Sequence, residues 1–312
     1  MDRPDDYELS IERYSCSVVS IIGWGRRIDK MNDYVAQLAL RVMEAVELVV
    51  PGVWIVDSIP LLAKLPKWLS WIYRMPQAKL NQSLRVRRYF AALSREGAQS
   101  QEENFAKRLY REQDQNNLDD AEIATLTANL IGGGVDTTSG TMVTFILAMC
   151  VFPEVQCKAQ EELDRIVGKQ DRSPNWDDEN SLPYIKAVVS EVLRWRTVTI
   201  LGGIPHAPIQ DDVYSGYLIP KGTPITGNLW AIHRNPQDFP EPDSFRPERF
   251  YGGLERPYPN KQGHNAFGWG RRQCSGQPLA EQGLFMTIAT LLWAFDMKPG
   301  LDENVGDPVE PS

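Results

Sequence analysis

The stretch Phe267–Gly276, FGWGRRQCSG, sets one cysteine among three glycines and two adjacent arginines, just ahead of an apolar run. Pro278 suits the first turn of a helix that should continue to Phe295. Cys274 therefore falls just before a helix N-terminus, where unpaired N–H groups and the positive end of the helix dipole stabilise an anion. Arg271 and Arg272 add positive charge, so the surroundings suit an anionic sulfur. Gly268, Gly270 and Gly276 either let a bulky group approach the backbone or permit positive φ. Two chemistries follow, a nucleophile or a metal ligand, beside the plain alternative of a turn whose cysteine merely packs. A nucleophile needs a base. The sequence holds three histidines, and the nearest, His264, has no feature pairing it with Cys274.

Two further stretches invite chemistry. Gly133-Gly134-Val135-Asp136-Thr137-Thr138 places two glycines inside a helical pattern, each costing about 1 kcal/mol relative to Ala. A tight helix crossing at small residues would explain them. So would a loosened helix lying against a flat ligand, with Thr137 bonding a freed carbonyl four residues back. Glu191-Val-Leu-Arg194 is by itself an ordinary i, i+3 ion pair, worth a few tenths of a kcal/mol on a surface.

Taken together, these segments are similar to the cytochrome P450 monooxygenases. Phe267-x-x-Gly270-x-Arg272-x-Cys274-x-Gly276 fills every specified position of that family's haem-binding signature. The resemblance implies that Cys274 is the axial thiolate of haem b. It implies that Gly270 and Gly276 make room for the porphyrin and that Arg272 meets a propionate. Gly133, Gly134, Asp136 and Thr137 match the oxygen-activation segment, where the glycines leave space for O2 and the acid and threonine relay protons. Glu191, Arg194 and the Arg249 of Phe245-Arg-Pro-Glu-Arg249-Phe250 match a buried network supporting the haem pocket. Thr197–Leu201 matches a substrate-lining segment, and His206 a propionate-binding position.

The elements around these residues must be helical for the most part. Ile28–Val49 repeats apolar residues near a 3.6 period, with Pro51-Gly52 as its stop, and Gln77–Leu93 is again helical. Pro60–Met75 is short and broken, and Ser94–Gln101 is polar enough for a linker. Asp119 or Asp120 caps a long helix to about Cys150, Glu154–Val167 follows, and Asp171–Asn180 is a polar loop. Ser181 caps a helix with Pro183 in its first turn. Residues 208–226 carry β-formers around Ser-Gly and Pro-Lys-Gly turns, which predicts a hairpin, and 236–264 is a long meander.

Bulk composition removes other classes. A net charge of −8 argues against nucleic acid as partner. Four cysteines without a CxxC pair, and no HExxH, argue against a disulfide scaffold or a zinc enzyme. The uninterrupted apolar runs Met142–Phe152 and Leu284–Phe295 fall short of the ~20 residues of a membrane span.

The fold expected from the resemblance is mainly α, the C-terminal two-thirds of a cytochrome P450 with a small β-hairpin region. Residues 1–117 would be a helical region with substrate-lid helices, and 118–312 the haem-binding core. Family members carry an anchor, a β-sheet and early helices ahead of the part matching Met1, and a final hairpin after Phe295. Two functional expectations stand. One is a haem-thiolate monooxygenase placing one atom of O2 into a small organic, secondary-metabolite substrate, with electrons from NADPH through a cytochrome P450 reductase. The other is a shortened, inactive remnant, with or without haem. The family resides at the endoplasmic reticulum membrane. This sequence shows no anchor, which leaves a cytoplasmic place as given and membrane contact only through an anchor outside it.

Overall fold

Asp119 begins the helix that leads to the glycine pair by a reciprocal exchange: its carboxylate accepts from the Glu122 N–H, and the Glu122 side chain accepts from the Asp119 N–H. Of the two candidate caps, Asp119 is the one used. In the computed structural model, which describes residues 6–30, 32–47, 55–66, 68–69, 77–169, 171–252, 260–300 and 309, the chain is mainly helical. It divides into two units, Met1–Ser139 and Gly140–Ser312.

The first unit holds α1 (Tyr7–Trp24), α2 (Tyr34–Glu47), α3 (Ile55–Ser58), α4 (Gln77–Ala98), α5 (Phe105–Arg111), α6 (Gln113–Asn116) and α7 (Asp120–Gly134). Helix α7 packs on α4 and α1. Their shared core includes Cys16, Val19, Trp24, Phe90, Leu93 and Ile131, with Trp24 stacked on Phe90 at 5.7 Å. The expected helix from Ile28 starts later, at Tyr34. The Ile28 backbone is tied to α1 instead, donating to Ser17 Oγ at 3.1 Å and accepting from Arg13 at 3.2 Å. Asp33 supplies the start, accepting from the Val35 N–H at 2.8 Å. Val49 and the Pro51-Gly52 stop lie outside the described residues, as does part of Pro60–Met75.

The expected linker at Ser94–Gln101 is also corrected. Helix α4 runs on to Ala98, and Ser94 is fully buried, bonding the Phe90 carbonyl and the Thr127 hydroxyl while accepting from the Trp24 indole. A small polar residue there is a crossing point between helices, not a break.

Helix α8 (Asp136–Val151) carries the chain into the second unit, followed by α9 (Pro153–Val167), α10 (Pro183–Trp195), β1 (Asp212–Tyr214), β2 (Tyr217–Ile219), α11 (Leu229–His233) and α12 (Gln277–Ala294). The long helix expected from residue 119 to 150 is thus interrupted at Val135. By length and composition alone, Asp120–Val151 would suffice to cross a membrane, which counting only unbroken apolar runs did not reveal. The hairpin forms with Val213 opposite Leu218 and a Ser215-Gly216 turn in which both residues have positive φ. Asp171–Asn180 is only partly loop, since Trp176–Ser181 forms a 3-10 turn capped by Asn175. Ser181 does not cap α10. The buried Glu162 carboxylate of α9 does so, accepting from Tyr184 N–H at 3.0 Å and Ile185 N–H at 3.1 Å.

Helix α12 packs on α10 and α9. Gln156 on α9 clamps the segment after α12, exchanging bonds with the Met297 backbone at 3.0 and 2.7 Å.

Candidate functional site

Three groups of residues were singled out by their types, and each takes shape locally. Glu191 and Arg194 lie one turn apart on α10 and are both 0% exposed. Arg194 presents Nε and Nη2 to the two Glu191 oxygens at 2.7 and 2.8 Å, a bidentate pair. Arg249, in the 3-10 turn Pro247–Arg249, adds its Nε at 3.3 Å, and the Arg246 N–H donates to the same carboxylate at 2.8 Å. One carboxylate against two guanidinium groups leaves a surplus positive charge. It is met by backbone carbonyls: Arg194 donates to those of His233, Pro242 and Ser244, and Arg249 to those of Pro240 and Glu241. Burial pulls the Arg249 guanidinium below the usual arginine value, against the attraction of Glu191. The expected structural network is therefore assembled, and it fixes residues 240–249 of the meander.

The Phe267–Gly276 loop is built on its own backbone. Cys274 N–H donates to the Phe267 carbonyl at 2.9 Å, closing the loop, and Gly270–Arg272 makes one 3-10 turn. Gly268 and Gly270 have φ of 77° and 58°, and a Cβ on either would meet no atom within 4 Å. Gly276 departs from expectation: its φ of −83° needs no glycine, and a Cβ there would lie 3.7 Å from Cys274 Sγ. Cys274 is a free, exposed thiol two residues before Gly276, the cap of α12, which starts at Gln277, not Pro278. Arg271 and Arg272 are exposed, and neither makes an ion pair among the described residues. Trp269 packs its ring against Gly227, where a Cβ would sit 2.5 Å from the indole.

His264 is not a base for that thiol. It is buried in an aromatic cluster with Phe250, Phe267 and His233, and burial, reinforced by His233, pushes its pKa down to about 3. His206 is exposed and pairs backbone to backbone with Ile225. No hydrogen bond or ion pair joins it to Arg272 among the described residues.

The glycine segment belongs to the other unit. Thr137 Oγ1 donates to the Gly133 carbonyl at 2.6 Å beside the break at Val135, the local loosening anticipated for it. The two glycines divide the two explanations. Gly134 is where α1 crosses, since a Cβ would lie 2.7 Å from Val19 Cγ2, whereas Gly133 faces open space. Asp136 is exposed and heads α8. Thr197 is buried while Val198, Ile200 and Leu201 expose apolar surface.

Comparison with known proteins decides what these parts belong to. The family model for cytochrome P450 matches residues 5–311. The chain belongs to the cytochrome P450 family. It is 36% identical to cytochrome P450 monooxygenase 113 of Postia placenta, covering 96% of this chain and 58% of that protein. It is 35% identical to cytochrome P450 monooxygenase polD of Polytolypa hystricis (95% and 59%) and 37% identical to cytochrome P450 monooxygenase acuD of Aspergillus aculeatus (94% and 57%). The chain thus spans 57–59% of the length of these fungal relatives.

The cytochrome P450 cofactor, haem, fits the residues present. Beyond the four porphyrin nitrogens its iron would need one donor from the protein, and the free, exposed Cys274 is of the type that would supply it as a thiolate. The side-chain-free surface at Gly268 and Gly270 offers a flat ring close approach to the backbone. Sequence reasoning missed His233, which links the network to this loop. Its signal was only a histidine closing a short helical run, Leu229–His233.

Proposed function

We propose that this chain is the haem-holding, oxygen-activating part of a haem-thiolate monooxygenase acting on a small organic substrate of secondary metabolism. When bound, haem would supply the activation of O2, with one oxygen atom entering the substrate and the other leaving as water, at the expense of two electrons and two protons. The observation that carries the reading is the free Cys274 thiol on a backbone-closed, glycine-faced loop beside the buried Glu191–Arg194–Arg249 network.

Each residue then has a physical task. Cys274 would supply the sulfur that holds the haem iron. Arg272, with His206, would hold the propionates, and Phe267, Gly270 and Gly276 would shape the loop around the ring. Asp136 collects a proton from solvent and Thr137 passes it on, while Gly133 keeps side-chain bulk away. Val198, Ile200 and Leu201 present apolar surface to the substrate. Electrons come from NADPH through a cytochrome P450 reductase, and the endoplasmic reticulum is the proposed location, on family grounds alone.

The test is uncoupling. Thr137→Ala should leave haem content unchanged while oxygen consumption outruns product by about tenfold or more, because proton delivery contributes roughly 100-fold in such steps. Equal coupling in variant and parent would remove Thr137 from the relay.

A further inference from the structure

His233 closes α11 and is fully buried, with no carboxylate bonded to it among the described residues. Its carbonyl accepts from Arg194 Nη1 at 3.0 Å, and its ring Nε2 accepts from the Asn265 N–H at 2.9 Å. The one residue therefore bonds the ion network on one side and the base of the cysteine loop on the other. Asn265 is itself buried, and its carbonyl takes the Gly268 N–H at 2.8 Å, one residue after Phe267, whose carbonyl takes the Cys274 N–H. The bonded route runs Arg194, His233, Asn265, the Phe267-Gly268 turn, Cys274.

An Nε2 that accepts carries no proton, so the neutral ring holds its proton on Nδ1. That Nδ1 is buried and has no hydrogen-bond partner among the described residues. The ring stands edge-on to Phe239 at 6.0 Å and to His264 at 6.4 Å, which fixes its plane. A buried ring N–H without an acceptor is costly, and the bond that Nε2 accepts from the Asn265 amide is the gain set against that cost.

We propose that His233 is the positioning residue that couples the Glu191–Arg194 network to the cysteine loop, setting the loop through the Asn265 amide. Its consequence for haem rests on the reading of Cys274 as the sulfur ligand; the coupling itself does not.

The test uses the whole chain. His233→Phe keeps a ring against Phe239 and His264 but removes the acceptor, and His233→Gln returns an acceptor near the Nε2 position. Hydrogen exchange should quicken about tenfold or more at the amides of 265–268 and 274 in His233→Phe, stay near the parent in His233→Gln, and remain unchanged along α10 in both. Parental exchange in the Phe variant, or equal loss in both variants, would overturn the proposal. Nitrogen-resolved spectra of the unsubstituted chain give a readout that no folding failure can mask. They should show an Nδ1–H tautomer coupled to the Asn265 amide, and an Nε2–H tautomer would refute it. In haem-loaded protein, His233→Phe should shift part of the carbon monoxide-bound Soret band from the thiolate position to the inactive one, with Gln restoring it. If the parent shows no thiolate band, the reading of Cys274 fails while the exchange result still judges the coupling.

Discussion

Glu191 and Arg249, 58 positions apart in sequence, are joined by a hydrogen bond of 3.3 Å in a buried site that Arg194 completes. The bond converts a helix and a distant meander into one piece of structure. Removing the carboxylate by Glu191→Ala would strand two buried guanidinium groups, a loss of about 3–5 kcal/mol. Urea denaturation should show that drop, with Glu191→Gln intermediate. An Ala variant within 1 kcal/mol of the parent, on the scale of an exposed pair, would mean the site is solvated.

The start of α10 separates two candidate caps. Glu162→Ala should cost about 1–2 kcal/mol by leaving the Tyr184 and Ile185 N–H groups unpaired. Ser181→Ala, the position that sequence rules favour, should change stability by less than about 0.5 kcal/mol, since Ser181 is exposed and makes no cap bond. Thermal unfolding of the two variants compares them directly.

The adjacent glycines at the helix break should respond in opposite directions. Gly134→Ala forces a methyl to within 2.7 Å of Val19 in the core and should destabilise by about 1–3 kcal/mol. Gly133→Ala meets nothing and should gain up to about 1 kcal/mol from helix propensity. Melting temperatures that move together would contradict the assignment of one glycine to packing and the other to the break.

Two buried histidines set a pH limit. Burial, with Arg194 adding, lowers His233 to about 4, and burial, with His233 adding, lowers His264 to about 3. The unfolded chain binds protons near 6.5 that the folded chain refuses, so stability is complete above that pH and falls as the pH drops toward 4 and 3. The expected loss is on the order of a few kcal/mol, and His233→Gln should flatten part of it. A denaturation series from pH 7 to 4 checks the slope; a flat profile would show that neither ring is buried neutral.

The hairpin and the ExxR helix were legible because their signals are local: Ser215-Gly216 is a two-residue turn, and α10 has a clear apolar period. What sequence rules misplaced depends on partners far along the chain. Ser94 looks like linker but bonds Thr127, 33 residues on. Ile28 fits the apolar period of α2, yet its backbone is held by Ser17 and Arg13. The capping of α10 by Glu162 spans 22 residues, and the bond of His233 to Asn265 spans 32. Cys274 and the paired glycines stand out by residue type, and Glu191, Arg194 and Arg249 only through the resemblance; His233 carries neither signal.

The central claim is that Cys274 holds haem iron through sulfur. The direct measurement is the carbon monoxide difference spectrum of the reduced chain prepared with haem, beside that of Cys274→Ala. The parent should show the Soret band of a thiolate-ligated haem and the variant should lose it. A thiolate band that survives the substitution, or a parent that takes up haem through another atom, would contradict the claim.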